Sequence, residues 1–491
     1  MRQDLGVKTP DKINIDISVS MVLSVERRCA IIGVKISEKE AIRMGMKTDI
    51  LIVGSGCAGL YCALQLPRDK QILILSKADL EGSDSYLAQG GICMLKDESD
   101  YDSYFEDTMK AGHYENDRKS VEIMIRSSRD VIRDLVSYGA QFKRDEEGNF
   151  VFTREGAHSH HRILFHEDET GKEITTRLLE AVRKLPNVTL MDHTTMLDIV
   201  EKDNVCYGAV LELPDGSITT CEAEHTVWAC GGIGGLYTHS TNYPHLTGDA
   251  LAIAKQHNID LKNVNYVQIH PTTLYSKKPG ERSFLISESV RGEGARLYDK
   301  NFHRFTNELL PRDLLSKEIL KQMKKDGTDF VWEDLRTIPR EEVESHFPNI
   351  VEHCREEGYD VFKECIPVVP AQHYFMGGVK VDYVSKTTMD QLYAIGECAC
   401  NGVHGRNRLA SNSLLEALVF AKRAAKDIAA DEGCIKRNPD LLESIPLTRY
   451  ADTDRLIDIY GETVAEEIDE EEKAHPIGAR AEMRYEPCTI Q

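Results

Sequence analysis

No stretch of this chain approaches the roughly 18 consecutive apolar residues that a membrane-crossing helix needs. Positive charge is also in short supply. Against 81 Asp and Glu stand 60 Lys and Arg, a net charge of −21. That balance argues against non-specific nucleic-acid binding and against a basic membrane anchor. It leaves room for a local basic pocket that takes a small anion. The 13 cysteines are scattered, with no CxxC pair and no zinc-ligand spacing. Cys57, Cys62 and Cys230 lie in apolar contexts where cysteine behaves as a small hydrophobe, and the pattern points to a reducing, cytoplasmic compartment. Internal repeats and low-complexity linkers are absent as well.

What is present is ordinary globular composition, 41% hydrophobic and 29% charged over 491 residues, enough for a large core and two to four domains. The stretch Lys47–Cys93 organises the rest. A short apolar run, Ile50 to Val53, reads as a buried parallel strand. It leads into Gly54-x-Gly56-x-x-Gly59, and Leu60 to Leu66 has the composition of a helix start. Strand, glycines, helix is the order in which this motif binds a dinucleotide. Gly54 permits the tight turn, Gly56 lets backbone approach a pyrophosphate, and Gly59 lets helix and strand pack closely. The helix N-terminus offers unpaired N–H groups to the phosphates. Gln71 to Leu75 supplies the next parallel strand.

Upstream, Glu26-Arg27-Arg28 and Glu38-Lys39-Glu40 interrupt any signal-peptide core. Residues 1–46 are expected to be an N-terminal extension, either from an over-long start or as a small structured arm. Downstream, Gly82 to Gly91 is a polar, glycine-ended loop able to lie along a flavin. Residues 101–138 read as two helices, with Asp117 as a first cap. A helix is expected around Thr175–Leu185, with strands near Thr189 and over Val205–Leu211. The segment Glu224–Gly235 reads as a strand ending in a second glycine-rich turn, and Thr247-Gly-Asp249 opens another helix. The chain loses glycine turns between about 264 and 375. It regains the earlier pattern at Gly377-Gly-Val, Leu392-Tyr-Ala-Ile-Gly-Glu397 and Ser411–Glu416, where a helix opens that runs through Ala430. The acidic run Glu466–Glu472 reads as a solvated helix face with a loose end.

The motifs GSGCAG, SYLAQGG, REGAHSHHR, WACGG, TGD, HPT, ISESVRGEG, PRDL, PAQHYFMGGV, AIGE and RNRLASNSLLE occur in that order. In sequence and spacing, over roughly residues 47–430, they closely resemble the L-aspartate oxidase family. That family belongs with the flavin subunits of succinate dehydrogenase and fumarate reductase. The resemblance implies an α/β fold with a Rossmann-type FAD-binding domain in two segments, 47–263 and 376–432. An α+β capping domain is inserted at 264–375, and a short helical tail follows at 433–491. It implies oxidation of L-aspartate to iminoaspartate by hydride transfer to FAD, with reoxidation by oxygen or fumarate, as the first step of quinolinate and NAD biosynthesis. A functional link to quinolinate synthase is part of that expectation. The alternative is a soluble fumarate reductase or succinate dehydrogenase-type flavoprotein.

Carried over position by position, the resemblance assigns the dicarboxylate site to His270, Ser287, Glu288, His373 and Arg408. Arginine's planar fork suits carboxylates, and histidine or hydroxyl donors complete such a clamp. Arg312 falls at the acid/base arginine, and its plain reading is a helix-start ion pair with Asp313. Glu155 falls at the amine-sensing glutamate. An extra carboxylate repels succinate but pairs with an α-ammonium group, so Glu155 favours aspartate. Glu155, His270, Arg312 and His373 are therefore the expected catalytic set. For FAD the resemblance points to Gly54, Ser55, Gly56, Cys57, Ala58, Gly59, Lys77, Ser83, Ser85, Ala88, Gln89, Gly90, Gly91, Asp249, Glu397, Ser411, Ser413 and Leu414. The helix starting near Asn412 would aim its positive end at the flavin pyrimidine. No metal is expected, since the His158–His161 cluster lacks the partners of a metal motif. Ser76-Lys77 replaces the usual ribose-binding acid, as in aspartate oxidases. Asp84 stands near where covalently flavinylated relatives carry histidine, so the FAD is expected to be non-covalent. Longer family members carry about a hundred C-terminal helical residues that this chain replaces with a shorter, dissimilar tail.

Overall fold

A computed structural model of the protein describes residues 45–276, 281–431 and 438–477. The extension expected at 1–46, apart from its last two residues, and the end of the tail lie outside the described residues. At the centre is a five-stranded parallel sheet in the order Leu392–Ala394, His225–Trp228, Ile50–Val53, Ile72–Leu75 and Val188–Met191. Ile50–Val53 and Ile72–Leu75 are buried at every position, which is why they read as unbroken apolar runs rather than alternating ones. Each buried Ile or Leu in them contributes roughly 1.5–3 kcal/mol.

One face of the sheet is covered by the helices Cys57–Gln65, Thr170–Val182 and Ser413–Ala430, which share a core with Ile50, Ile52, Ile72 and Ile74. The other face packs Leu51, Val53, Leu73 and Leu75 against the antiparallel strands Thr195–Lys202, Val205–Glu212 and Ile218–Glu222 and the helix Asp249–Gln256. A second sheet, antiparallel throughout, runs Val267–Leu274, Ile366–Phe375, Val331–Asp334, Arg296–Tyr298. It and the helix Arg312–Asp326 have their own apolar core around Leu297, Leu315, Ile319 and Val331.

Most expected elements appear, with shifted ends. The first helix begins at Cys57 rather than Leu60, because Gly56 already serves as its N-cap in an extended conformation. The helix expected at Thr175–Leu185 runs Thr170–Val182. Asp117 caps Arg118–Ser137, its side chain accepting from Ser120 N. The acidic run Glu466–Glu472 lies on a helix and is exposed or half-buried throughout, as read. That helix, Thr453–Ala474, also buries Tyr460 and Val464 against the Asp249–Gln256 layer. Tyr460 also donates to the Leu197 carbonyl at 2.5 Å.

Candidate active site

The C-terminal ends of the parallel strands and the edge of the second sheet face each other across one cleft, with about 1730 Å³ of space unfilled by protein atoms. Ligands of open parallel sheets bind at such strand ends. The Gly54–Ala58 turn forms the floor. Gly54 has φ +122°, and a Cβ there would lie 2.0 Å from the Ala229 carbonyl oxygen, so only glycine fits. Every residue assigned above to cofactor or substrate lines this cleft except Gly59. Gly59 has the packing role its place in the motif implies: a Cβ there would come 2.1 Å from the Gly54 carbonyl oxygen.

The cofactor half has the chemistry of an anion cradle. The Cys57–Gln65 helix has no side-chain cap and no acidic residue in its first turn. The Ser413–Ala430 helix also starts without a side-chain cap, and Ser413 and Leu414 at its start line the same cleft. Two open helix N-termini suit a pyrophosphate and an electron-rich ring system. Ser85 Oγ accepts from Cys57 N at 2.9 Å and so fixes the Ser83–Gly91 loop against the glycine turn. Lys77 pairs with Asp249 at 2.7 Å, and both line the cleft. Glu397 accepts from Phe375 N at 2.9 Å, and burial pushes its carboxyl well above the usual range. Gln89 Oε1 is buried with no partner among the described residues, an acceptor available to a ligand N–H. These residues fit FAD.

The other half is strongly cationic for its size. Arg312, at the N-terminus of its helix, donates to Glu288 Oε2 at 2.6 Å and to Gln268 Oε1 at 2.9 Å. The expected neighbour Asp313 pairs with His113 instead, at 3.3 Å. Arg408 donates to the same Gln268 oxygen at 3.2 Å and stacks 4.3 Å from the Tyr374 ring centroid. It also donates to Ser413 Oγ. Burial, then the nearby Arg312 charge, lowers the Arg408 guanidinium to about 10.

His270 and His373 meet edge to face, ring centroids 5.1 Å apart. His373 Nδ1 bonds Thr241 Oγ1 at 2.7 Å. His270 Nδ1 is taken up by the Thr272 backbone, and its Nε2 is buried without a partner among the described residues. Burial, then the positive charges around them, holds both imidazoles well below their usual range. They are neutral hydrogen-bonding groups here. Ser287 caps the helix that carries Glu288, accepting from Ser289 N.

Two carboxylates share this half in opposite states. Burial would raise Glu288, but Arg312 and Arg291 outweigh it and hold its carboxyl below the usual range. Glu155 is raised, by burial first and then by the charge of Glu288. Its Oε2 accepts from Ser411 Oγ at 2.5 Å. Glu155 therefore lacks a cation that Glu288 already has. The rest of its loop has structural bonds. His158 is bonded to the Ala410 carbonyl at 3.0 Å, and Arg162, fully buried, is held by Asp100 and Asp107.

Sequence reasoning missed Gln268, Thr241, Tyr374 and Arg282, all of which line the cleft or hold residues that do. Gln268 had a signal. It lies two residues before His270 on one strand and so points to the same face. Thr241 and Arg282 sit in irregular segments with none.

A parallel sheet with a glycine turn, a long cleft at its strand ends and a cationic pocket at the cleft's end define an FAD-dependent oxidoreductase. The FAD binding domain family matches residues 49–414. The L-aspartate oxidase of Clostridium perfringens is 49% identical over 380 residues, covering 77% of this chain and 86% of its own. That of Clostridium acetobutylicum is 45% identical over 395 residues, covering 80% and 91%. Among solved structures, a chain of E. coli quinol fumarate reductase superposes with TM-score 0.75 at 27% identity, covering 89% of this chain and 84% of its own. The chain belongs to the L-aspartate oxidase family.

Proposed function

We propose that the cleft oxidises L-aspartate to iminoaspartate and that oxygen or fumarate takes the electrons on. The observation that carries this reading is one buried pocket that holds two arginines, Arg312 and Arg408, beside Glu155, a glutamate with no cation paired to it among the described residues. Aspartate brings two carboxylates for the arginines and one ammonium group for Glu155. FAD, when bound, supplies the acceptor for the hydride that leaves the α-carbon.

This chain's residues do the rest. Arg408 and Arg312 hold the carboxylates, with His270 Nε2, His373 and Ser287 as neutral donors. Glu155 receives the ammonium group and, as that nitrogen loses its proton, offers the nearest carboxylate with a raised affinity for one. Glu288 keeps Arg312 oriented. With fumarate in place of aspartate the same clamp applies, and Arg312, at the family's acid/base position, would pass a proton to the second alkene carbon by way of a relay, since a guanidinium holds its proton tightly. Residues 264–375 would act as the cap over the segments 47–263 and 376–432 and exclude water from the reaction.

The relatives favour this assignment over a soluble fumarate reductase, since the two oxidases match at 49% and 45% identity and the reductase chain at 27%. Among the described residues no helix is long and apolar enough to cross a membrane. A cytoplasmic enzyme whose unstable imine passes to quinolinate synthase is the setting we infer. The test is anaerobic turnover of aspartate with fumarate. The reading expects one succinate per aspartate consumed, and an enzyme that yields none even though oxygen supports turnover would remove fumarate as acceptor.

The flavin is expected to be non-covalent, with Asp84 in the Ser83–Gly91 loop and its carboxylate accepting from Tyr243 N at 2.9 Å. Acid precipitation of the holoenzyme should leave the yellow colour in the supernatant. Colour retained in the pellet would mean a covalent link.

A further inference from the structure

The turn between the helices Tyr101–Ala111 and Arg118–Ser137 touches both arginine-bearing segments. His113 and Tyr114 each hold a left-handed backbone, φ 59°, which non-glycine residues adopt only where surroundings demand it. Those surroundings are specific. The Ala111 carbonyl accepts from Asn407 Nδ2 at 3.0 Å, and the Gly112 carbonyl from Arg406 N at 3.2 Å. Asn116 Nδ2 donates to the Val403 carbonyl at 2.8 Å. A Cβ on Gly405 would meet the Gly112 carbonyl oxygen at 2.5 Å. The loop that ends in Arg408 is thus laid directly on this turn. On its other side, His113 Nε2 reaches Asp313 Oδ2 at 3.3 Å, in the first turn of the helix that Arg312 begins.

We propose that the Gly112–Asn116 turn is a positioning element for the two substrate arginines, and that His113 is the positioning residue that sets Arg312 through Asp313. The pair is partly exposed, so it adds little stability. Its consequence is placement. Among the described residues the Arg312 side chain otherwise bonds Glu288 and Gln268, and Gln268 bonds Asn407 and Arg408 in turn, so the His113–Asp313 contact is a second tie between the Arg312 helix and the layer that holds the cofactor cleft. Displacing a catalytic group by about 1 Å costs up to about a hundredfold in rate.

The inference rests on the oxidase reading of the cleft. Its test is the rate of anaerobic flavin bleaching by L-aspartate in His113→Ala and His113→Gln holoenzyme, each repeated in an Arg312→Lys background. His113→Ala should slow bleaching about tenfold with the half-saturating aspartate concentration changed less than about twofold. His113→Gln, which keeps a donor for Asp313, should recover most of the rate. In the Arg312→Lys background His113→Ala should add no more than about twofold, since the two substitutions act on one contact chain. An unchanged rate in His113→Ala, or the same tenfold loss in both backgrounds, overturns the inference while leaving the oxidase reading intact. A wild-type enzyme that aspartate does not bleach overturns both.

Discussion

Arg312→Leu should lower aspartate oxidation by about a thousandfold while the protein still purifies yellow. The guanidinium meets Glu288 and Gln268 and faces the cleft, so its loss removes a carboxylate clamp and the charge that stabilises the reacting pocket. None of its bonds is to a residue of the cofactor half, which is why FAD should stay. Leucine also leaves Glu288 buried and unpaired, at a stability cost of about 3–5 kcal/mol. Arg312→Lys separates the effects. It keeps a cation beside Glu288 but loses the planar fork, and should fold normally with turnover still severely reduced. Steady-state rates and the flavin absorbance of both variants check this, and normal turnover in either would remove Arg312 from the mechanism.

Glu155→Gln should collapse the preference for aspartate over succinate by about a hundredfold or more. Among the described residues at the substrate end, the other carboxylate, Glu288, is already paired with Arg312. Removing the Glu155 charge weakens ammonium binding and relieves repulsion of succinate at once. The pH profile carries an independent signature. Burial and Glu288 raise the Glu155 carboxyl, so in free enzyme it loses its charge as pH falls through a point above the ordinary carboxylate range. The acid limb of kcat/KM for aspartate should start there and be absent in Glu155→Gln. An unchanged substrate ratio or an unchanged acid limb would take the amine-sensing role away from Glu155.

Much of this site could be read from sequence because its parts are local. The strand, glycine turn and helix at Ile50–Gln65 announce themselves through apolar runs and glycine spacing, and the assigned polar residues sit in short motifs that the fold gathers at one cleft. What escaped depends on partners far apart in the chain. Sequence places Arg312 beside Asp313, yet its carboxylate is Glu288, 24 residues away, and Asp313 is taken by His113. No window of sequence contains that exchange. The docking of the tail escaped for another reason. The acidic run Glu466–Glu472 dominates its composition and hides an apolar stripe, Leu456, Tyr460, Val464 and Ile468, at helical spacing, which packs on the central core. Charge there describes the outer face, and the stripe explains why the helix docks at all.

The most direct measurement is anaerobic bleaching of the yellow protein, followed in the flavin band, with L-aspartate and then with succinate. The account predicts rapid bleaching by aspartate and little or none by succinate. Bleaching by succinate alone, or by neither, would contradict it.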